Sequence, residues 1–191
     1  MTELPEPGTT VEPMSGLDLT RRLSVMTFRR ARAVQLAAGD DAETALREVR
    51  SAFELAIAAE AAGGIGWCLE TAVSYAKERY QFGRPIGSFQ AVAHQCADML
   101  AGLQAASASA RYAAATTTEN AADAELARRV AVLRASESYR IAAETTIHIL
   151  GGTGFTWEHD AHLYYRRAWS ADQLAGGAST HRAAIADLAG L

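Results

Sequence analysis

The chain is poor in cysteine, in proline beyond its opening residues, and in any concentration of basic charge. Its two cysteines, Cys68 and Cys96, are too few for a disulfide framework. Each sits inside a helical apolar pattern, where a free thiol behaves as a small buried hydrophobe, and reduced thiols suit a cytoplasmic location. Three of the four prolines fall within the first 13 residues, which disfavours helix there and suits an extended lead-in. Lysine and arginine number 18 against 22 acidic residues, for a net charge of -4, and they are scattered along the chain. With no basic stripe, nucleic acid is excluded as a partner. Charges interrupt the apolar stretches short of a membrane-spanning length. The opening MTELPEPGTTVEPM has no charged segment followed by an apolar one, so no membrane association and no export are expected.

What is present is an ordinary globular balance, with 49% apolar and 21% charged residues over 191 positions, enough for one domain with a real core. Residues 17–36 mix β-branched and apolar residues in short groups, compatible with two short strands or with a helix. Gly39, Asp40 and Asp41 form a turn and N-cap that open the first long helix. In that helix Leu55, Ala58, Ala62, Ile65, Leu69, Ala72 and Ala76 recur in steps of three and four, which puts them on one face. A second helix, capped by Ser88, repeats the steps through Phe89, Val92, Cys96, Met99, Leu103, Ala106, Ala110 and Ala113, and breaks over 116–120. A third opens after Asn120, with Asp123 in its first turn, and runs through Val132, Ala135, Tyr139, Ala142, Thr146 and Ile149 to a stop at Gly151 and Gly152. Shorter helices span about 159–174 and 179–188. Alanine-rich faces let helix axes approach closely, and small side chains bury little area each, so a further face buried against a second subunit would add stability.

Between the first two helices lies ERYQFGRPIGSFQAVAHQCADM. Gly83, Pro85 and Gly87 mark a tight connection there, which places Arg79, Gln81 and Phe82 at a bundle end. A guanidinium fork, an amide and a flat ring could hold a phosphorylated aromatic ligand. The same residues could equally cap the first helix and plug the bundle end.

The run R-x-QFG-x-PI-x-x-FQ together with the later ILGGTGFTWEH resembles the C-terminal helical domain of the acyl-CoA dehydrogenases, flavoenzymes that desaturate acyl-CoA thioesters at the α,β bond. The likeness covers roughly residues 45–182. It implies an all-α, up-down helical bundle over 41–191, preceded over 1–40 by an extended lead-in and a short remnant of a central β-domain. It also implies FAD as cofactor. Arg79 would contact the pyrophosphate of a neighbouring subunit's FAD, with Gln81 and Phe82 beside it, and the loop holding Gly152 would lie against the ADP half. His148 stands where a glutamine is usual and inherits a cofactor position, although imidazole donates fewer hydrogen bonds at shorter reach. Gly154 adds a third glycine to that loop, where backbone N–H groups can approach a ligand.

The resemblance also shows a departure. The family takes the α-proton with a glutamate whose pKa is raised beside the flavin. Here Ala175 stands at that position, followed by Gly176 and Gly177, and alanine accepts no proton. At the family's second location for the base the chain has Phe53, with Glu54 adjacent but turned about 100° around the helix. His159, Asp160 and His162 could suggest a metal, but no further His or Cys cluster supports one. The family's N-terminal helical domain and most of its β-domain have no counterpart in this sequence. The implied role is therefore the flavin-binding and dimerisation part of an acyl-CoA dehydrogenase, inactive alone. Its partners would be an identical or related dehydrogenase chain, an acyl-CoA substrate and an electron-transfer flavoprotein. The alternatives are a non-catalytic partner subunit and a cofactor-free helical bundle.

Overall fold

Alanine has the highest helix propensity, and from residue 39 the chain is built largely on it. The computed structural model describes residues 7–119 and 122–191, and its body is helical. Helix α1 spans Gly39–Glu78, α2 Gln90–Thr118, α3 Ala124–Leu150, α4 Ala161–Leu174 and α5 Ala178–Leu188. At 40 residues α1 is about 60 Å long, from a rise of 1.5 Å per residue. This is the expected all-α bundle.

Two short hairpins accompany it. Strands β1 (Thr9–Pro13) and β2 (Ser24–Phe28) pair antiparallel, Thr9 opposite Phe28 and Pro13 opposite Ser24. Of the two readings open for 17–36, the strand reading holds for Ser24–Phe28, although its partner strand lies earlier, in the proline-rich opening. A second, two-residue pair, β3 (Tyr80–Gln81) and β4 (Arg84–Pro85), joins α1 to α2. Residues 1–6 of the lead-in and Asn120, the expected opening of the third helix, lie outside the described residues.

Contacts between helices fix their directions. Arg128 reaches Glu54, the Tyr139 ring packs over Gly64, and the Thr146 hydroxyl donates to the Cys68 carbonyl. Residue numbers rise together along both helices, so α1 and α3 are parallel. Helix α2 runs between them in the opposite sense, with Ser138 against Gly102 and Asp123 accepting from the Tyr112 hydroxyl. The C-terminal ends of α1 and α3 therefore share one end of the bundle.

The core is mostly alanine, with Ile57, Ile65, Cys68, Met99, Val132, Tyr139 and Ile149 among the larger members. All six residues expected on the α3 seam are buried, as are Ala58, Ile65, Ala72 and Ala76 of α1. Leu55, Ala62 and Leu69 are only partly buried, and Glu54, Ala61, Gly64 and Cys68 take the inner positions. Because α1 packs on both α2 and α3, its buried face is rotated from the single seam drawn on the sequence.

Four local expectations change. Gly39, Asp40 and Asp41 are the first residues of α1, with Ala38 at the N-cap position, and the two aspartates favour the helix through its dipole instead of capping it. Helix α2 starts at Gln90, after a 3-10 turn over Ile86–Ser88, and the Ser88 hydroxyl donates back to the Pro85 carbonyl instead of capping the helix. The break placed at 116–120 begins later, since α2 continues to Thr118. The Thr116 and Thr118 hydroxyls bond carbonyls of the preceding turn, so these threonines need no non-helical partner. Finally, α1 is long and apolar enough by length and composition to cross a membrane, contrary to the reading that charges interrupt every such stretch. Its inner face packs on α2 and α3, as a bundle's central helix does.

Candidate functional site

At the shared end of α1 and α3 the two sequence motifs form separate exposed features. The first is the β3–β4 hairpin. Phe82 and Gly83 have φ of 53° and 78°, the positive pair that a type I′ turn requires. Glycine adopts this freely; phenylalanine does so under strain of about 1–3 kcal/mol. Phe82 is also 91% exposed, so the ring gains little burial in exchange. Its edge faces Phe89, 6.2 Å between centroids, and Arg84 lies 4.1 Å over the Phe89 ring. Gly87 brings the following turn onto the end of α1, where a Cβ would stand 3.0 Å from the Ala76 carbonyl oxygen.

Arg79 caps α1 through its backbone: its N–H donates to the Tyr75 carbonyl and its carbonyl accepts from Ile86. The guanidinium is exposed and, among the described residues, makes no ion pair or hydrogen bond. Gln81, opposite Arg84 in the hairpin, is exposed as well.

The second feature is the end of α3. Gly151, at φ 60°, closes the helix with its N–H on the His148 carbonyl, and a 3-10 turn covers Gly151–Phe155. His148 and Gly152 are exposed. Nothing within 4 Å would meet a Cβ on Gly152, whereas one on Gly154 would stand 2.9 Å from the Ile147 carbonyl oxygen. Gly154 is thus required by packing, whereas Gly152 is exposed with open space beside its Cα. A free cation, a projecting ring and an uncovered glycine backbone form a donor set that fits a diphosphate carrying flat rings. Among the described residues no hydrogen bond or ring contact joins the two features.

The carboxylates are committed elsewhere. Phe53 is 44% exposed, while Glu54 is buried. Its carboxylate meets Arg128 at 2.8 Å, Arg129 at 3.3 Å and Arg50 at 3.5 Å. It anchors α1 to α3 and points into the bundle, away from the face that carries Phe53. Ala175 ends α4, and its carbonyl oxygen lies 2.8 Å from Nε2 of the buried His181. Gly176 and Gly177 follow at φ 102° and 77°. His159 accepts the Ala161 N–H and sits edge-on to Trp67, whereas His162 packs against Trp157. The two histidines thus serve different aromatic neighbours.

A second charge cluster escaped sequence reading because its members are far apart along the chain. Glu60 of α1 receives Arg21 at 2.7 and 2.8 Å and Arg167 of α4 at 2.8 Å on each oxygen. Asp18 accepts from the Thr20 backbone and lies 3.5 Å from Arg167. Burial raises the Asp18 carboxyl, but the Thr20 hydrogen bonds and the arginines outweigh it and hold the pKa below its usual range. Glu60 follows the same pattern, with burial opposed by Arg167 and Arg21 and the net shift downward. Burial also pushes the Cys68 thiol up to about 12, so this cysteine is inert as a nucleophile.

The sequence profile of the acyl-CoA dehydrogenase C-terminal domain matches residues 42–189. The acyl-CoA dehydrogenase FadE34 of Mycobacterium tuberculosis is 41% identical over 168 residues, covering 87% of this chain and 23% of that protein. The acyl-CoA dehydrogenase IpdE2 of the same organism is 40% identical over 164 residues, covering 85% and 46%. Among solved structures, the ChsE4–ChsE5 complex from Mycobacterium tuberculosis superposes with a TM-score of 0.85 at 28% identity, over 95% of this chain and 49% of the matched one. The chain thus spans less than half the length of these relatives. The chain belongs to the acyl-CoA dehydrogenase family, and what it contains is that family's C-terminal helical domain.

Proposed function

We propose that this chain is the flavin-binding and subunit-pairing domain of an acyl-CoA dehydrogenase, working in the cytoplasm on acyl-CoA thioesters. The observation that carries this reading is the hairpin end: an exposed arginine that makes no ion pair or hydrogen bond among the described residues, three positions before a phenylalanine held exposed in a left-handed turn. A strained, exposed ring persists where it serves a contact outside the isolated domain. In this reading Arg79 binds the FAD pyrophosphate of a neighbouring subunit, Gln81 and Phe82 flank it, and Gly152 and His148 lie along the ADP half. FAD supplies the acceptor for the hydride leaving the β-carbon, and an electron-transfer flavoprotein takes the electrons onward.

A second reading is favoured by two residues. Ala175 offers a methyl group where the family has its base, and Glu54 is held by three guanidinium groups. The chain therefore supplies no carboxylate at either location for the α-proton, and the base belongs to a partner. This describes a non-catalytic subunit paired with a related dehydrogenase, and the solved ChsE4–ChsE5 complex is a precedent for a two-component assembly.

The test is an absorbance spectrum of the chain purified alone and after co-expression with an acyl-CoA dehydrogenase that carries the glutamate. A flavin band near roughly 450 nm, as flavin chemistry dictates, is expected in the complex and is lost in Arg79→Ala. A colourless complex, or an Arg79→Ala complex that keeps its full flavin content, overturns the assignment.

A further inference from the structure

The loop between β1 and β2 extends past the paired strands, with the Met14 N–H on the Leu23 carbonyl closing its base. Its tip lies on the bundle. Asp18 is buried there and shapes the loop by accepting the Thr20 N–H. Arg21 leaves the loop to set one guanidinium nitrogen, Nη2, between the two carboxylate oxygens of Glu60 of α1, and Arg167 of α4 forks onto the same carboxylate through Nε and Nη2. The third nitrogen of Arg167 turns back to the loop, 2.7 Å from the Thr20 hydroxyl. The neighbouring Arg166 donates to the Leu17 carbonyl. Glu60 is thus one acceptor shared by two elements, and the charges of Asp18, Glu60, Arg21 and Arg167 sum to zero.

Beyond the charges, the loop runs on along α4. Met14, Leu17 and Leu23 face Trp169, Gln173 and Leu174 across a cleft of about 370 Å³. The loop therefore accompanies α4 from Arg166 to the residue before Ala175, where the chain turns on two left-handed glycines. Among the described residues the turn is fastened by Gly176 and Gly177 N–H groups on the Gln173 and Asp172 carbonyls and by His181 at the Ala175 carbonyl. The first two fastenings fall on carbonyls of the last turn of α4, so both bonds open when that turn frays, while the His181 N–H on the Gly177 carbonyl ties the turn onward to α5.

We infer that the β1–β2 loop is a clamp: seated on Glu60 and Arg167, it holds α4 in place and thereby sets the position of the 175–177 turn. Whatever pairs with or pulls on the β1–β2 hairpin is transmitted to that turn through α4. The coupling is mechanical and independent of flavin binding, so it stands or falls apart from the proposed function.

Amide hydrogen exchange on the full chain tests it. Arg21→Ala removes the loop's ion pair with Glu60 and leaves the Arg167–Glu60 pair intact. Exchange at Gly176 and Gly177 is expected to quicken about tenfold, the loss of one charge-assisted hydrogen bond, with amides in the middle of α2 unchanged. Arg22→Ala, at an exposed neighbour, is expected to change neither. If α2 also opens in Arg21→Ala, Arg21→Gln decides, since it keeps a polar side chain at this half-buried position and loses the ion pair; faster exchange confined to 15–22 and 176–177 upholds the clamp. In either variant, quickened exchange over 15–22 with Gly176 and Gly177 unaltered overturns it.

Discussion

Replacing Glu54 should weaken the bundle severely, and the size of the loss distinguishes an anchor from a proton acceptor. The side chains of Arg128 and Arg129 are 10% and 12% exposed, and Glu54 itself 1%. Among the described residues, Glu54→Ala would leave those two guanidinium groups with only the exposed Glu125 as counter-charge. Breaking a buried pair from one side costs about 3–5 kcal/mol. Arg50 is 62% exposed, so Arg50→Ala should cost about 0.2–1 kcal/mol. Urea denaturation reads both, and with a slope of about 1–3 kcal/mol per molar, Glu54→Ala should move the midpoint down by at least 1 M. A double-mutant cycle of Glu54→Ala with Arg128→Ala should return a coupling above about 1 kcal/mol. A loss below 1 kcal/mol for Glu54→Ala at unchanged slope would refute the reasoning and reopen Glu54 as a free carboxylate.

Two adjacent glycines in α1 should respond oppositely to alanine. A Cβ on Gly64 would stand 2.3 Å from the Tyr139 ring, while one on Gly63 meets nothing within 4 Å. Thermal melting should show Gly64→Ala destabilised by about 1–3 kcal/mol and Gly63→Ala stabilised by about 0.4–1 kcal/mol; equal effects would contradict the packing. The loop clamp should also depend on pH. The Asp18 and Glu60 carboxyls titrate below their unfolded values of about 4, so their contribution is present above that pH and fades as acid carries the solution through the lower folded values. Limited proteolysis at Arg21 and Arg22 should find the loop protected from pH 5 to 8, and release within that interval would contradict the assignment.

The helices were readable because their signal is local. Every expected seam residue of α3 is buried, since a helix packed along one main stripe shows its period directly. The α1 seam was drawn a fraction of a turn off because two helices, not one, pack on it, and no single period records that. Ser88 looked like a cap by residue type, but Pro85 and Gly87 favour a tighter turn first. At the candidate site, Gly83, Pro85 and Gly87 announce a tight connection without showing that Phe82 itself takes a left-handed conformation. The Glu60 and Glu54 clusters were invisible for another reason. Their partners lie 107 and 74 residues away, and charge pairing at such separation leaves no periodic trace.

The alanine core has a consequence of its own. A methyl group has no rotamers to freeze, so ordering this interior costs mainly backbone entropy. Equally, it has no torsions with which to absorb an added carbon. Distances between helix axes are therefore set by backbone meeting backbone, as in a rod whose length and straightness do not depend on how its filling settles. Such a bundle keeps the hairpin tip at 82–83 and the α3 terminus at Gly151 at a fixed offset, the property that the proposed flavin contacts at both places would need.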